Sequence, residues 1–343
     1  MPTKLHIALI ADPAIPVPPL YYGGIERVIN LLIRGLKKNG HTISLFAHHE
    51  SVTAADYFFA YPGSNQSKSS LIKNTFLVSK LLVNNPDVVH NFGRLAYLSA
   101  LMPFQIPKLM SYQREPTISQ IKKAIKFAGK NSMHFTGCSN YITDQIKPFA
   151  PASTVYNAVS MHDYQFKDTV PDDAPLVFLG RIEPIKGAHT AIKVAKLAKR
   201  KLIIAGNIPP EAKYYFDTEI APFIDQKNIC YVGSVDDLQK NKLLGNAAAL
   251  LMPIEWNEPF GIVMAEALAC GTPVIALQRG AAKEVVLNGT NGWLCRTIPE
   301  MVNAVANIHL INRKDCRKDA ELRFSEAALI KNFEELYSKL LKK

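Results

Sequence analysis

The sequence predicts an α/β protein made of two doubly wound parallel sheets that face a central cleft. Three observations carry that prediction. The chain of 343 residues is about twice the size of a common single domain, so two cores are expected. Its first 48 residues alternate strand, helix and strand patterns, and a unit of that kind requires parallel strands. Its second half repeats short apolar runs of strand length, each closed by turn residues.

The first run, "LHIALIAD" (5–12), is followed by the Pro-rich loop "PAIPVPPLYYGG". Ile25, Val28, Ile29, Leu32 and Leu36 then keep helical spacing until Gly40, and "HTISLFAH" (41–48) resumes as a strand. Further strand-like runs stand at 87–92, 107–112 and 134–139, separated by helix-like segments. The polar stretch 160–177 holds two prolines and four aspartates and reads as a linker, which sets an N-terminal domain at 1–165. "LVFLGRI", "KLIIAG", "ICYVGS", "AALLMPI" and "TPVIAL" supply five strands of a second domain at 166–325. Residues 326–343 carry the period of an amphipathic helix.

An apolar content of 48% beside 20% charged residues describes a soluble globular chain without repeats or low-complexity tracts. No signal-peptide pattern and no uninterrupted apolar window of about 18 residues is present, so a cytoplasmic location is expected. The five cysteines are scattered without a CxxC pair, which predicts reduced thiols and no metal site. The net charge of +11 is uneven: residues 1–165 hold 16 Lys and Arg against 8 Asp and Glu. A basic first half suits an anionic partner, whether membrane, nucleic acid or acidic substrate, or else a set of solvated lysine faces. Within it, Lys122, Lys126 and Lys130 fall on one side of a helical pattern and Ile118, Ile121 and Ile125 on another. That helix is read either as a rest for anionic lipid or as an ordinary surface helix.

Chemistry is expected where strands end. In "YYGGIE" (21–26), Gly23 and Gly24 let backbone amides approach a ligand at a helix N-terminus, a candidate phosphate or sugar contact, and taken alone they are also explained as simple turn glycines. The spacing is not that of a dinucleotide fingerprint. In "FLGRIEPIKG", Arg181 and Lys186 place two cations just past a strand, where they can neutralise a departing diphosphate in the role a metal would fill; taken alone, they are also explained as a surface pair flanking a helix start. In "NEPFGIVMAEALACGTPVIA", Glu258 sits in a loop and Glu266 about two turns into the following helix. The amides of Phe260, Gly261 and Ile262 are donors at that helix start. A carboxylate suits a pair of vicinal hydroxyls, so the two glutamates can grip two different sugars, a hexose and a ribose. Taken singly, each is also explained as helix-start charge or a solvated face. His90 ends an apolar strand and is a cleft candidate, though a lone histidine there is also explained as structural, and Asn157 in "VYNAVSMHDY" is a candidate for the cleft wall or hinge.

Together, "YYGGIERVI" with "GLKKNGHTISLFA", "FLGRIEPIKG" and "NEPFGIVMAEALACGTPVIA" resemble the large Glu-x7-Glu family of retaining glycosyltransferases. That family includes bacterial lipopolysaccharide and phosphatidylinositol mannosyltransferases and sucrose synthases. The resemblance covers nearly the whole chain. It implies the GT-B architecture of two Rossmann-like domains, with a nucleotide-sugar donor on the C-terminal domain and the acceptor on the N-terminal one. It implies that Arg181 and Lys186 bind the donor diphosphate, that Glu258 holds the donor sugar and Glu266 the ribose, and that Gly206 in "AGN" and Val232 in "VGSV" lie near the base. It further implies that the terminal helix crosses back to the N-terminal domain, and that neither a metal nor a cofactor is needed. Two departures stand out. Gln113 occupies the segment where many relatives carry a histidine and cannot act as a general base; Lys283 stands where relatives often carry proline.

The expected activity is therefore transfer of a sugar from a nucleoside diphosphate to a saccharide or lipid-linked glycan in bacterial surface polysaccharide synthesis, with retention. Contact with an anionic membrane is allowed for; a nucleic acid partner is not expected. The alternatives are a sugar-nucleotide epimerase, which would need no acceptor, and a non-catalytic carbohydrate or membrane module, for which Gln113 is the support.

Overall fold

A computed structural model describes residues 4–20, 23–65 and 67–342. The chain divides into two compact units, Met1–Ala158 with Glu326–Lys343, and Val159–Ser325.

The N-terminal unit runs β1 (His6–Ile10), α1 (Gly24–Lys38), β2 (Thr42–Ala47), β3 (Tyr57–Ala60), α2 (Lys68–Ser79), α3 (Leu81–Asn84), β4 (Val88–Asn91), a 3-10 segment Leu95–Leu101, β5 (Lys108–Tyr112), α4 (Ile118–Phe127), β6 (Met133–Gly137), α5 (Asn140–Ile146) and β7 (Ala152–Thr154). Its seven strands are parallel in the order β3-β2-β1-β4-β5-β6-β7. Ile7 to Ile10 of central β1 are wholly buried, and α1 covers the sheet with Val28, Ile29, Leu32 and Leu36, the residues whose period marks the helix in the sequence. A final helix, Glu326–Leu341, packs beside α1 in this unit.

The C-terminal unit runs β8 (Leu176–Leu179), α6 (Ala188–Leu197), β9 (Leu202–Ala205), the single turn α7 (Lys213–Tyr215), β10 (Ile229–Tyr231), α8 (Asp237–Gly245), β11 (Ala249–Met252), α9 (Ile262–Ala269), β12 (Val274–Leu277), α10 (Ala282–Val285), β13 (Gly292–Cys295), α11 (Ile298–Ala306) and α12 (Arg313–Arg323). The final helix is numbered α13. Six parallel strands lie in the order β10-β9-β8-β11-β12-β13. Leu176, Leu202, Ile204, Leu251 and Ile275 form a core with no solvent exposure.

Two features differ from the sequence reading. The unit boundary falls at Ala158/Val159 rather than 165/166. Residues 159–165 are tied to the C-terminal unit: the Val159 amide donates to the Phe324 carbonyl at 2.9 Å, and the Arg317 guanidinium reaches the Met161 and Tyr164 carbonyls at 3.0 and 2.7 Å. Strands β3 and β13 are edge strands of four residues, and β3 is largely exposed, so neither produces a long apolar run.

Candidate active site

In each sheet the strand order reverses at one place, between β1 and β4 and between β8 and β11. Ligands of doubly wound sheets bind beyond the carboxyl ends of the strands at such a reversal. In the C-terminal unit the two flanking strands lead straight into the residues that the sequence singles out.

Strand β8 ends at Leu179, and Arg181 follows, its Nη1 2.9 Å from Glu183 Oε1. The 3-10 turn Pro184–Lys186 then brings Lys186 over the Trp256 ring, with Nζ 4.9 Å from the ring centre. Lys186 Nζ donates to Glu258 Oε2 at 2.7 Å, and Trp256 Nε1 donates to the same oxygen at 2.9 Å. Residues 72 apart in sequence meet because β8 and β11 are hydrogen-bonded neighbours. The loops after them are also joined, by the Glu255 amide to the Ile185 carbonyl at 2.9 Å. The side chains of Lys186 and Glu258 are 16% and 13% exposed, so the pair is shielded yet reachable.

The Glu258 backbone rests on the turn before α10. The Ala281 amide donates to the Glu258 carbonyl at 2.8 Å. Gly280, at φ 52°, lies so close that a Cβ would stand 2.3 Å from that carbonyl oxygen. Lys283 follows on α10 and is exposed. Gly261, in the left-handed region at φ 77°, starts α9, and Ile262 is its first residue. The first amides of a helix have no partner within it, which makes this end a source of donors beside Glu258. The Phe260 side chain is an anchor instead, buried edge-on to Phe324 with ring centres 5.5 Å apart.

Glu266, in the second turn of α9, is buried. Its Oε1 accepts from Lys240 Nζ and from the Tyr164 hydroxyl, each at 2.6 Å. Lys240 belongs to α8, whose start is fixed by a reciprocal Asp236–Gln239 cap. Glu258 and Glu266 thus form two separate stations with different cations. At the ends of β9 and β10, Gly206 adopts φ 150°, and a Cβ on it would stand 1.8 Å from the Gly180 carbonyl oxygen. The Gly206 amide donates to the Gly233 carbonyl at 2.8 Å, while adjacent Val232 is half exposed. Arg181, Lys186, Glu258, Gly206 and Val232 therefore all lie just past the carboxyl ends of four adjacent strands.

In the N-terminal unit, Gly23 precedes α1 at φ 148° and Gly24 opens it; Tyr21 and Tyr22 lie outside the described residues. Glu26 in the first turn is buried, and burial, with a smaller contribution from the Asp12 charge, pushes its carboxyl up to about 7. Gln113 and Asn157 are brought together, Asn157 Nδ2 donating to Gln113 Oε1 at 2.7 Å. His90 is a correction. It has no solvent exposure, its Nδ1 lies 2.6 Å from the Tyr337 hydroxyl and its Nε2 2.7 Å from the Ser111 hydroxyl. Burial pushes its pKa well down, and the rings of Phe92 and Phe333 lie against it. It docks α13 onto the sheet and cannot face a ligand.

Among the described residues, no group of three or more His, Cys, Asp or Glu converges as a metal site would require. Residues 22–162 match the family described as Glycosyltransferase Family 4, and residues 162–326 match Glycosyl transferases group 1. The chain belongs to the family 4 glycosyltransferases. A 41.2 kDa protein of the cps region of Klebsiella pneumoniae is 26% identical over 92% of this chain and 96% of its own. Among solved structures, HepE of Anabaena in complex with UDP and glucose superposes with a TM-score of 0.72 at 18% identity, over 98% of this chain and 100% of that one. The lipopolysaccharide outer core galactosyltransferase WaaB gives 0.72 at 18% identity, over 97% and 99%. The fold of this glycosyltransferase is GT-B.

Trp256, Lys240, Tyr164 and Gly280 were not singled out by the sequence. An aromatic two residues before Glu258 reads as core, a lysine on a polar helix as solvated, and a tyrosine in a polar stretch as linker. Only proximity in the fold reveals them.

Proposed function

We propose that this glycosyltransferase moves a hexose from a nucleoside diphosphate sugar to a saccharide or lipid-linked glycan, with retention of configuration and without a metal. The observation that carries the reading is the meeting of Lys186 with Glu258, beside Arg181, at the reversal of the C-terminal sheet. Arg181 and Lys186 would take the donor diphosphate, Glu258 the hexose hydroxyls and Glu266 the ribose. The bond between the anomeric carbon and the diphosphate oxygen breaks, and that carbon bonds to the acceptor oxygen on the same face. The acceptor proton passes to the departing diphosphate, whose charge the two cations stabilise. Gln113, bonded to Asn157, would orient the acceptor as a hydrogen-bonding group and not as a base. The UDP and glucose bound by HepE make UDP-glucose the first donor to test. The likeness to WaaB, a lipopolysaccharide outer core galactosyltransferase, supports surface polysaccharide as the destination.

The test is nucleoside diphosphate release from a panel of sugar nucleotides, with and without acceptor and with and without EDTA, followed by NMR of the product anomer. Release that needs acceptor, survives EDTA and gives the donor's anomeric configuration is expected. An inverted product refutes retention, activity lost to EDTA refutes metal independence, and a donor altered without acceptor points to epimerisation.

A further inference from the structure

We infer that one face of the N-terminal unit is a docking surface for an anionic lipid bilayer. Helix α1 leads from β1 to β2, whereas α2 with α3, the 3-10 segment, α4 and α5 lead from β3 to β4 and onward to β7, in the opposite direction across the sheet. Right-handed crossovers place those connections together on the face that α1 does not cover. Contacts between them confirm a continuous layer: α2 packs on the 3-10 segment, and the Gly129 amide after α4 donates to the Met102 carbonyl at 2.8 Å.

This layer carries large apolar side chains in water. Ile72 and Phe76 of α2 are 70% and 71% exposed, Val83 of α3 is 87% exposed, and Phe104, Phe127 and Phe149 are exposed as well. Leu71, Ile72, Thr75 and Phe76 line a groove of about 430 Å³ against Ala96 and Ala100. Apolar groups gathered on one face of a soluble protein mark a binding surface more often than chance exposure does.

The segment that builds this layer also carries the basic charge, apart from Lys108, which is buried in β5. Residues 61–150 contain 11 Lys and Arg against 3 Asp and Glu, whereas residues 1–60 contain 5 against 4. Lys68, Lys73 and Lys80 flank the exposed apolar residues of α2 and α3, and Lys122, Lys123 and Lys126 project from α4; none of these helices bears a carboxylate. Cations interleaved with exposed apolar groups complement both halves of an anionic interface: headgroup charge and the outer acyl region. The sequence pointed to the helix around Lys122, but Ile121 and Ala124 of α4 are turned inward and buried. Its contribution is charge, with Phe127 at its end, and the main apolar contact comes from α2 and α3 instead.

Co-sedimentation of the purified chain with vesicles of phosphatidylglycerol and phosphatidylcholine tests this. Binding to the anionic vesicles, weak binding to phosphatidylcholine alone and release by salt are expected. The triple variants Ile72→Ser/Phe76→Ser/Val83→Ser and Lys122→Glu/Lys123→Glu/Lys126→Glu should each lower the partition about tenfold or more. A Phe76→Trp variant should shift its emission to the blue on anionic vesicles. Absence of partition, or partition that neither triple variant lowers, overturns the inference. So does sedimentation velocity showing that the apolar residues hold a second copy of the chain instead. Sugar transfer to a water-soluble acceptor should be unchanged in both variants, so a failure of lipid docking stays distinguishable from a failure of the transferase reading.

Discussion

Replacing Lys186 by Met removes one positive charge while keeping an unbranched apolar stem. In the structure Nζ stands 2.7 Å from Glu258 Oε2, mostly shielded from water. Two effects follow. A cation that stabilises charge on the leaving diphosphate is the kind of preorganised group whose loss costs about 10²–10³ in kcat, or about 3–4 kcal/mol of barrier. The Glu258 carboxylate also loses a partner, but Trp256 Nε1 at 2.9 Å remains. The stability loss should therefore be about 1–2 kcal/mol, below that of an orphaned buried charge. The assay is nucleoside diphosphate release under saturating donor and acceptor, with the unfolding midpoint measured in parallel. A large fall in kcat with a KM for donor changed less than tenfold is expected, because the further negative charge on the already anionic diphosphate develops only as the bond breaks. The double variant Lys186→Met/Glu258→Gln should be less impaired than the two single effects combined, since each single change leaves the other group without its opposite charge. A kcat within threefold of the parent, or full additivity in the cycle, would refute the reasoning.

Three further outcomes are expected. Glu26 binds its proton more tightly folded, at about 7, than at its ordinary 4.5, so the folded state holds the extra proton between those values and stability falls as pH rises through that window. Denaturant unfolding of Glu26→Gln should lack that fall, which is on the order of 3 kcal/mol, and an unchanged pH profile would show that Glu26 is not the group responsible. Lys240→Met leaves Glu266 with the Tyr164 hydroxyl alone and should raise the donor KM about tenfold or more with a smaller effect on kcat, as steady-state kinetics will show. His90→Ala opens a cavity and strands the Tyr337 hydroxyl, while Ser111 keeps its Thr136 partner, at a cost of about 3 kcal/mol seen in chemical denaturation, with kcat of the folded protein unchanged; a specific loss of kcat would return His90 to the site.

The sequence made one kind of information plain and withheld another, and His90 and Lys186 show the division. Helix α1 and strands β8 to β12 are legible because burial of a neighbouring face imposes a local period on the residues themselves. Lys186 and Glu258 are legible because they follow strand ends, where the period stops and apolar packing no longer explains the residue present. His90 satisfies the same local description, yet its partner Tyr337 comes from a helix 247 residues later. Lys240 fails in the opposite sense: it lies on a helix with no apolar stripe, and only α9 beside it turns the lysine inward onto Glu266. The exposed face of α2 is a third case, because the side chains that this helix turns inward are Ser70, Asn74 and Val78, while the larger Ile72 and Phe76 stay in water. In each of these the local pattern states that a side chain needs company. Which company it finds within the fold, core or a charged partner, is decided by strand order, and strand order is a property of contacts between distant segments.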